Sequence, residues 1–375
     1  MARRAIILAT AGLLAGSLLA AGCGAAGPLG EAVGGPGPAP AGFTAVAAQP
    51  GGPDALVLAL DGPAGARAWA AGRARRGSDE PISPDAPVRI ASVTKTFLAA
   101  ALLRLWEQGR LDLDAPIRGL LSDETREALD SDGYDTGAIT TRQLLAHTSG
   151  LADHWGMRLY QLQARYVPGR RWTRIEQVRF AMRHGAPVGA PGERFFYSDT
   201  GYLVAAEVLE RASGQTMAQA VRSLLRLEAI GLTATWFETL EPRPPGAPLQ
   251  ARQYIGWQDG SSIHASFDLH GAGGLVASAP DLARFFRALA GGSVFERQDT
   301  FALMARPTPQ SRDSGADYGL GVSLLTIGGR ACIGHGGFWS HLAWVCPDTG
   351  EAGAVFVTDT ERAGALGAVL ESLGP

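Results

Sequence analysis

Residues 93–108, VTKTFLAAALLRLWEQ, constrain this chain more than any other stretch. The composition favours helix, and Gly109 supplies a stop. The run is apolar nearly all round, so the helix it forms must be covered on every side. A chain that buries such a rod needs layers on both flanks, and 375 residues suffice for one large domain or two closely packed ones. Strand-like segments lie at the two ends. Residues 55–60 form an apolar run that ends in the hairpin signal Asp61-Gly62, with a returning strand over 66–71. Residues 319–327, 340–345 and 352–357 read as further strands. A helix over 280–289 is capped by Ser278, and another over 361–373 closes the chain. The middle is mainly helical, with helices at 141–147, 174–184, 200–213 and 216–228. The expected fold class is therefore α/β (α+β): an antiparallel sheet flanked by helices, built from 51–105 and 255–375, plus an all-α subdomain over 106–254. A site is expected between the two parts.

A net charge of −3 offers no basic field to a nucleic acid. Arg3 and Arg4 precede an apolar stretch that runs to Ala21, followed by Gly22-Cys23. This basic start, short apolar core and small-residue end form the secretory pattern. Leu19-Ala20-Ala21-Gly22-Cys23 resembles a bacterial lipoprotein signal, with Ala20 where that pattern prefers Leu. Residues 1–22 are thus expected to be a signal peptide, Cys23 a lipidation site, and 23–50 a flexible tether rich in Gly, Ala and Pro. Ordinary cleavage nearby, or an uncleaved anchor, are the alternatives. The expected location is the cell surface, with membrane contact only through the N-terminal lipid. Cys332 and Cys346 remain, and export favours a disulfide between them over two buried thiols.

The strongest chemical signal is arithmetical. Lysine occurs once among the 33 basic residues, as Lys95, and the rest are arginine. Arginine holds its proton in proteins, whereas a desolvated lysine can release one. A chain that keeps a single lysine points to an amine that titrates. Ser92 stands three residues before it, which puts both side chains on one helical face, about 5–6 Å apart at Cβ. A hydroxyl needs a nearby base before it becomes a strong nucleophile. Lys95 would be that base if its surroundings lower its pKa from about 10.4 towards 7.

Arg89-Ile90-Ala91-Ser92-Val93-Thr94-Lys95-Thr96-Phe97 resembles the first motif of class C β-lactamases, D-alanyl-D-alanine carboxypeptidases and their esterase and peptidase relatives. Leu144-Leu145-Ala146-His147-Thr148-Ser149-Gly150-Leu151 is similar to a second family segment, and 191–202, with Tyr197-Ser198-Asp199, to a third. Residues 273–283 resemble a further conserved stretch, and Gly334-His335-Gly336-Gly337-Phe338 falls where the family carries its last motif, on a sheet-edge strand. The resemblance implies catalytic roles for Ser92, Lys95 and Tyr197, with Tyr197 sharing the proton shuttle and protonating the leaving group. It implies that His335 replaces a lysine and holds the substrate's carboxylate or carbonyl end. Gly337 would let the strand approach the substrate, and the Ser92 and Phe338 N–H groups would form an oxyanion hole. His147 is read as structural.

Two departures stand out. Asp199 occupies the place of the family's asparagine, and the chain contains no asparagine at all. An ionised carboxylate only accepts hydrogen bonds, so Asp199 is expected to hold the Lys95 amine or to receive a cationic group from the substrate. Phe338-Trp339 would bring bulky aromatics to the site. No histidine pair has metal-ligand spacing with supporting Cys or carboxylates, and no glycine run resembles a phosphate loop, so no metal or cofactor is implied. The resemblance implies a monomeric serine hydrolase that forms an acyl-enzyme from a small amide or ester, of the D-alanyl-D-alanine carboxypeptidase or β-lactamase kind. An esterase or D-aminopeptidase of the same fold is the alternative, or a non-catalytic penicillin-binding sensor.

Overall fold

The computed structural model describes residues 37–374, so the expected signal peptide and Cys23 lie outside the described residues. In chain order the strands are β1 Ala55–Asp61, β2 Arg67–Gly72, β3 Val88–Arg89, β4 Thr235–Phe237, β5 Tyr254–Ile255 and β6 Gln258–Asp259. They continue with β7 Leu275–Ala277, β8 Ser323–Ile327, β9 Arg330–Gly337, β10 His341–Cys346 and β11 Glu351–Val357. The main sheet runs β2-β1-β11-β10-β9-β8 and is antiparallel throughout. The two ends of the chain therefore meet at its centre, where Leu58 of β1 lies opposite Val355 of β11.

Both faces of this sheet are dry. Val57 and Ala59 point into the main core, covered by the helix Ala279–Ala290. Leu56, Leu58 and Leu60 point the other way, under helices Ala41–Ala47 and Ala365–Glu371. Burial on two faces is why 55–60 is an unbroken apolar run and not an alternating one. It also corrects the expected tether. Its end, Ala41–Ala47, is helical, with Phe43 and Val46 buried against the sheet. A Gly/Ala/Pro composition suggested flexible chain, but two large apolar side chains find a dry surface and hold the segment down.

The apolar rod forms as expected, over Thr94–Glu107, with every residue from Thr94 to Leu105 buried. On its sheet side Phe97 stacks on Phe285 at 3.6 Å between ring centroids. On the other side helices Asp199–Ser213 and Met217–Leu225 close over it. Burying one such Phe contributes about 2–3 kcal/mol, and truncating it to Ala removes about 3–5. This is the β-lactamase/transpeptidase-like fold: a mixed α/β body with an antiparallel sheet and a helical part packed on the rod.

Two details position the site. A small sheet, β3-β7-β4, joins Val88–Arg89 just before Ser92 to Leu275–Ala277 and Thr235–Phe237. The helical part therefore hands the chain back by about residue 235 rather than 255. On the far side, β8 pairs with β9 only as far as Gly334. His335-Gly336-Gly337 continues past it as a local edge, still paired with β10. Cys332 and Cys346, buried on those two strands, are joined with their Cα atoms 4.1 Å apart.

Candidate active site

Ser92 sits in the single turn Ala91–Val93 between β3 and the rod. Ala91 takes a left-handed φ of 42°, a conformation that non-glycine residues adopt only when their surroundings hold it. One of those surroundings is Gly337. A Cβ there would lie 2.5 Å from the Ile90 carbonyl oxygen. Gly337 was expected to bring the strand close to substrate; the structure shows that it brings β9 against the nucleophile's own turn. Among the described residues, no acceptor takes the N–H of Ser92 or of Phe338. Neither N–H is therefore occupied within the described chain, which is the condition an oxyanion hole requires.

Lys95 is fully buried. Its ammonium donates to Ser92 Oγ at 2.9 Å and to the Ala272 carbonyl at 2.6 Å, and pairs with Asp199, whose Oδ1 lies 2.7 Å from the nitrogen. This revises the sequence expectation of an amine with a lowered pKa. Burial does work against the charge, but Asp199 first, then Tyr197 and Asp268, hold the Lys95 pKa above its ordinary value. The resting group is an ammonium. Asp199 Oδ1 lies against the amine, in the place from which it could hold Lys95.

Tyr197 stands on the loop before the helix Asp199–Ser213, its ring centroid 5.1 Å from the Lys95 nitrogen. Burial pushes the phenol up to about 12, against the pull of the Lys95 charge, so it is a neutral donor at physiological pH. Ser198 caps that helix by accepting the Gly201 N–H at 3.2 Å. His147, read from the sequence as structural, grips this loop at three points. Its carbonyl accepts the Phe196 N–H at 2.8 Å, its Nδ1 accepts the Ser198 N–H at 3.0 Å, and its ring lies 4.0 Å from that of Tyr197. Burial and the Lys95 charge hold its pKa well below the ordinary value, so the ring is neutral.

His335 departs from expectation. Its side chain is buried, Nδ1 lies 2.6 Å from the Gly336 carbonyl, and Nε2 lies 2.9 Å from the Tyr318 hydroxyl. That pattern assigns a proton to Nδ1 and makes Nε2 the acceptor. Burial, then Lys95, lowers the ring to about 3. The residue standing in for the family's lysine is uncharged, and both its nitrogens are engaged. Phe338 turns its ring towards Trp155 at 4.7 Å, forming an aromatic wall beside Ala91 with Phe267 and Trp339.

Two carboxylates escaped the sequence reading. Asp153 accepts the Asp199 N–H at 2.9 Å, the Trp155 N–H at 3.2 Å and the Gly156 N–H at 2.8 Å. Asp268 lies against Gly273, where a Cβ would come within 2.3 Å of its carboxylate. Burial, and then the charge of Asp199, raise both to about 7. Neither carries a motif of its own, and each reaches the site from a separate loop.

This fold and this arrangement define a class: serine hydrolases whose nucleophile and lysine share one turn at the start of a buried helix. The chain belongs to the Beta-lactamase family, whose model matches residues 43–371. Esterase EstB of Burkholderia gladioli is 35% identical over 186 residues, covering 48% of this chain and 45% of that one. The alignments span less than half the length of EstB and of the curated penicillin-binding protein 4*. Among solved structures, a D-stereospecific amidohydrolase from a Streptomyces species is 27% identical with a TM-score of 0.72, covering 86% of this chain and 94% of its own. The D-amino acid amidase of Ochrobactrum anthropi SV3 is 26% identical with a TM-score of 0.69, covering 86% and 95%.

Proposed function

We propose that this protein hydrolyses small amides or esters that carry no carboxylate at the end facing the last motif, of the D-amino-acid amide or short-ester kind, through an acyl-enzyme on Ser92. The observation that carries this reading is His335. A substrate ending in a carboxylate, such as a D-alanyl-D-alanine peptide or a β-lactam, needs a cation to meet it. His335 is neutral and tied to Tyr318 and Gly336. The nearest arginine of the first motif, Arg89, is already paired with Glu238 at 2.6 Å. Asp199 already neutralises the one ammonium, so a further anion lacks a partner. The amidase and esterase relatives support the same class.

In the reaction, Ser92 Oγ bonds to the substrate carbonyl carbon, and the oxyanion is received by the Ser92 and Phe338 N–H groups. The C–N or C–O bond then breaks as the leaving group gains a proton through Lys95 and Tyr197. Water repeats the cycle on the ester and frees the acid. Export with a lipid at Cys23 belongs to the same proposal. The bond between Cys332 and Cys346 supports it, because disulfides persist in oxidising compartments.

The test is kcat/KM on a panel: a D-amino-acid amide, a p-nitrophenyl ester, a D-alanyl-D-alanine peptide and a chromogenic cephalosporin. The two substrates without a carboxylate should lead by about a hundredfold or more, the equivalent of about 2.7 kcal/mol in the transition state. Equal or better turnover of the peptide or cephalosporin would overturn the proposal.

A further inference from the structure

We propose that Asp199 is the proton store of this site: it takes a proton from the Lys95 ammonium so that the amine can take one from Ser92. Three oxygen atoms lie within 3 Å of Lys95 Nζ. The ammonium donates to Ser92 Oγ and to the Ala272 carbonyl, and its nitrogen lies 2.7 Å from Asp199 Oδ1 as a buried ion pair. In this state the nitrogen has no lone pair and cannot act as a base. To become one it must release a proton to a neighbour. A peptide carbonyl does not hold a proton at ordinary pH, and the serine is the group to be deprotonated. Asp199, at 2.7 Å, is the only one of the three contacts able to store it.

An asparagine at this place has no such capacity, so the departure at Asp199 gains a chemical reason. The substitution both charges the lysine at rest and supplies the site that discharges it. Both groups are buried, with side-chain exposures of 0% and 6%. Burial penalises a separated ion pair and narrows the gap to the neutral amine and carboxylic acid.

The step balances. A proton leaves Lys95 Nζ for Asp199 Oδ1. The freed nitrogen lone pair takes the Ser92 Oγ proton as the Oγ–C bond forms and the carbonyl electron pair moves onto oxygen. The ammonium next gives a proton to the leaving nitrogen or oxygen, directly or through Tyr197, as its bond to carbon breaks. Asp199 then returns its proton to Lys95. Net, the serine proton ends on the leaving group, and no outside reagent is needed.

Several other titratable groups bear on Asp199. Tyr197 lies on its own loop, Asp153 and His154 on the loop at 152–156, and Asp268 on the turn at 265–268. His335 and Tyr318 face it from the side of the sheet. Of these, Tyr197 also lies within hydrogen-bonding reach of the Lys95 amine and the Ser92 hydroxyl, and among the described residues Asp199 is the carboxylate paired with the Lys95 nitrogen.

The inference rests on Ser92 as nucleophile, and Asp199→Asn tests it. The amide keeps the shape of the side chain but stores no proton. In the wild type one proton is shared by the pair, so the rate should depend on pH only weakly, through the titration of Asp153 and Asp268 near 7. In Asp199→Asn the active form is the neutral amine, so the rate should rise with pH, roughly tenfold per unit below the new Lys95 pKa. At pH 6 the variant should be about tenfold or more slower, with KM for a neutral ester changed by less than about threefold. The rate of Ser92 labelling by a fluorophosphonate should show the same pH difference. That second readout needs no turnover, so it separates failure of this inference from failure of the substrate assignment. Superimposable pH profiles would overturn the proton store. A change confined to KM would overturn it too, assigning Asp199 to substrate binding.

Discussion

Replacing Lys95 by Met keeps the length of the side chain and removes the ammonium. Asp199, its side chain 6% exposed, then loses the cation that lies 2.7 Å away. Breaking a buried pair from one side costs about 3–5 kcal/mol, because a carboxylate is left in a dry site. The Ala272 carbonyl, which accepts from Lys95 at 2.6 Å, also loses its donor, a net change of about 1 kcal/mol. Against this, the ammonium no longer has to be desolvated, and Asp199 can bind a proton to relieve its charge. A net loss of about 3 kcal/mol at pH 7 follows, or roughly 4–5 °C in melting temperature for a folded body of this size. Adding Asp199→Asn removes the stranded charge, so the double variant should recover about half of that loss. Thermal and urea unfolding of the wild type, the two single variants and the double variant complete the cycle. Single effects that simply add would refute the reasoning, as would a Lys95→Met protein as stable as the wild type.

Other outcomes follow from the same geometry. His147→Ala, losing the acceptor for the Ser198 N–H and the stack on Tyr197, should lower kcat about a hundredfold with little change in KM, whereas His147→Asn, whose amide oxygen reaches the same N–H and tolerates a φ of 56°, should recover most of it. Equal activity of the Ala variant and the wild type would leave His147 as packing alone. Asp268, raised to about 7 mainly by burial, holds its proton more tightly in the folded than in the unfolded chain, so the stability it contributes below about pH 4 is lost as pH rises through 7. Asp268→Asn should therefore stabilise the protein by about 1–2 kcal/mol at pH 8 and by almost nothing at pH 4, and a pH-independent effect in thermal melts would contradict this. Thiol counting on denatured, unreduced protein should find Cys332 and Cys346 bonded, and reducing a bond that closes a 14-residue separation should cost about 3 kcal/mol. Two free thiols in exported protein would refute the pairing.

Where the chemistry is local, the sequence was a sufficient guide. Ser92 and Lys95 lie within one turn, so their meeting needs no knowledge of the rest of the chain. The rod at 94–107 was equally plain, because an apolar surface all round allows only a buried place. Charge state was not legible, because it depends on groups brought from elsewhere. Asp199 was named as a partner for Lys95 through its motif, but that burial and this carboxylate together leave the amine charged followed only from the fold. Asp153 reaches Asp199 across 46 residues, and Asp268 arrives from another loop. His335 was found by its motif, but its neutral state was not legible, because Tyr318, its hydroxyl partner, carries no signal in the sequence. Residues 41–47 were missed because two apolar side chains, Phe43 and Val46, decide the matter within a stretch whose average composition suggests flexible chain.

The central claim is a covalent acyl group on Ser92 drawn from a neutral substrate. Mixing the enzyme with a p-nitrophenyl ester and quenching in acid within the first turnovers traps that state for intact mass measurement and peptide mapping. A stoichiometric burst of p-nitrophenol should accompany one acyl group, carried by the peptide that contains Ser92, and Ser92→Ala should show neither while remaining folded. An acyl group on any other residue, or the same burst from Ser92→Ala, would contradict the account.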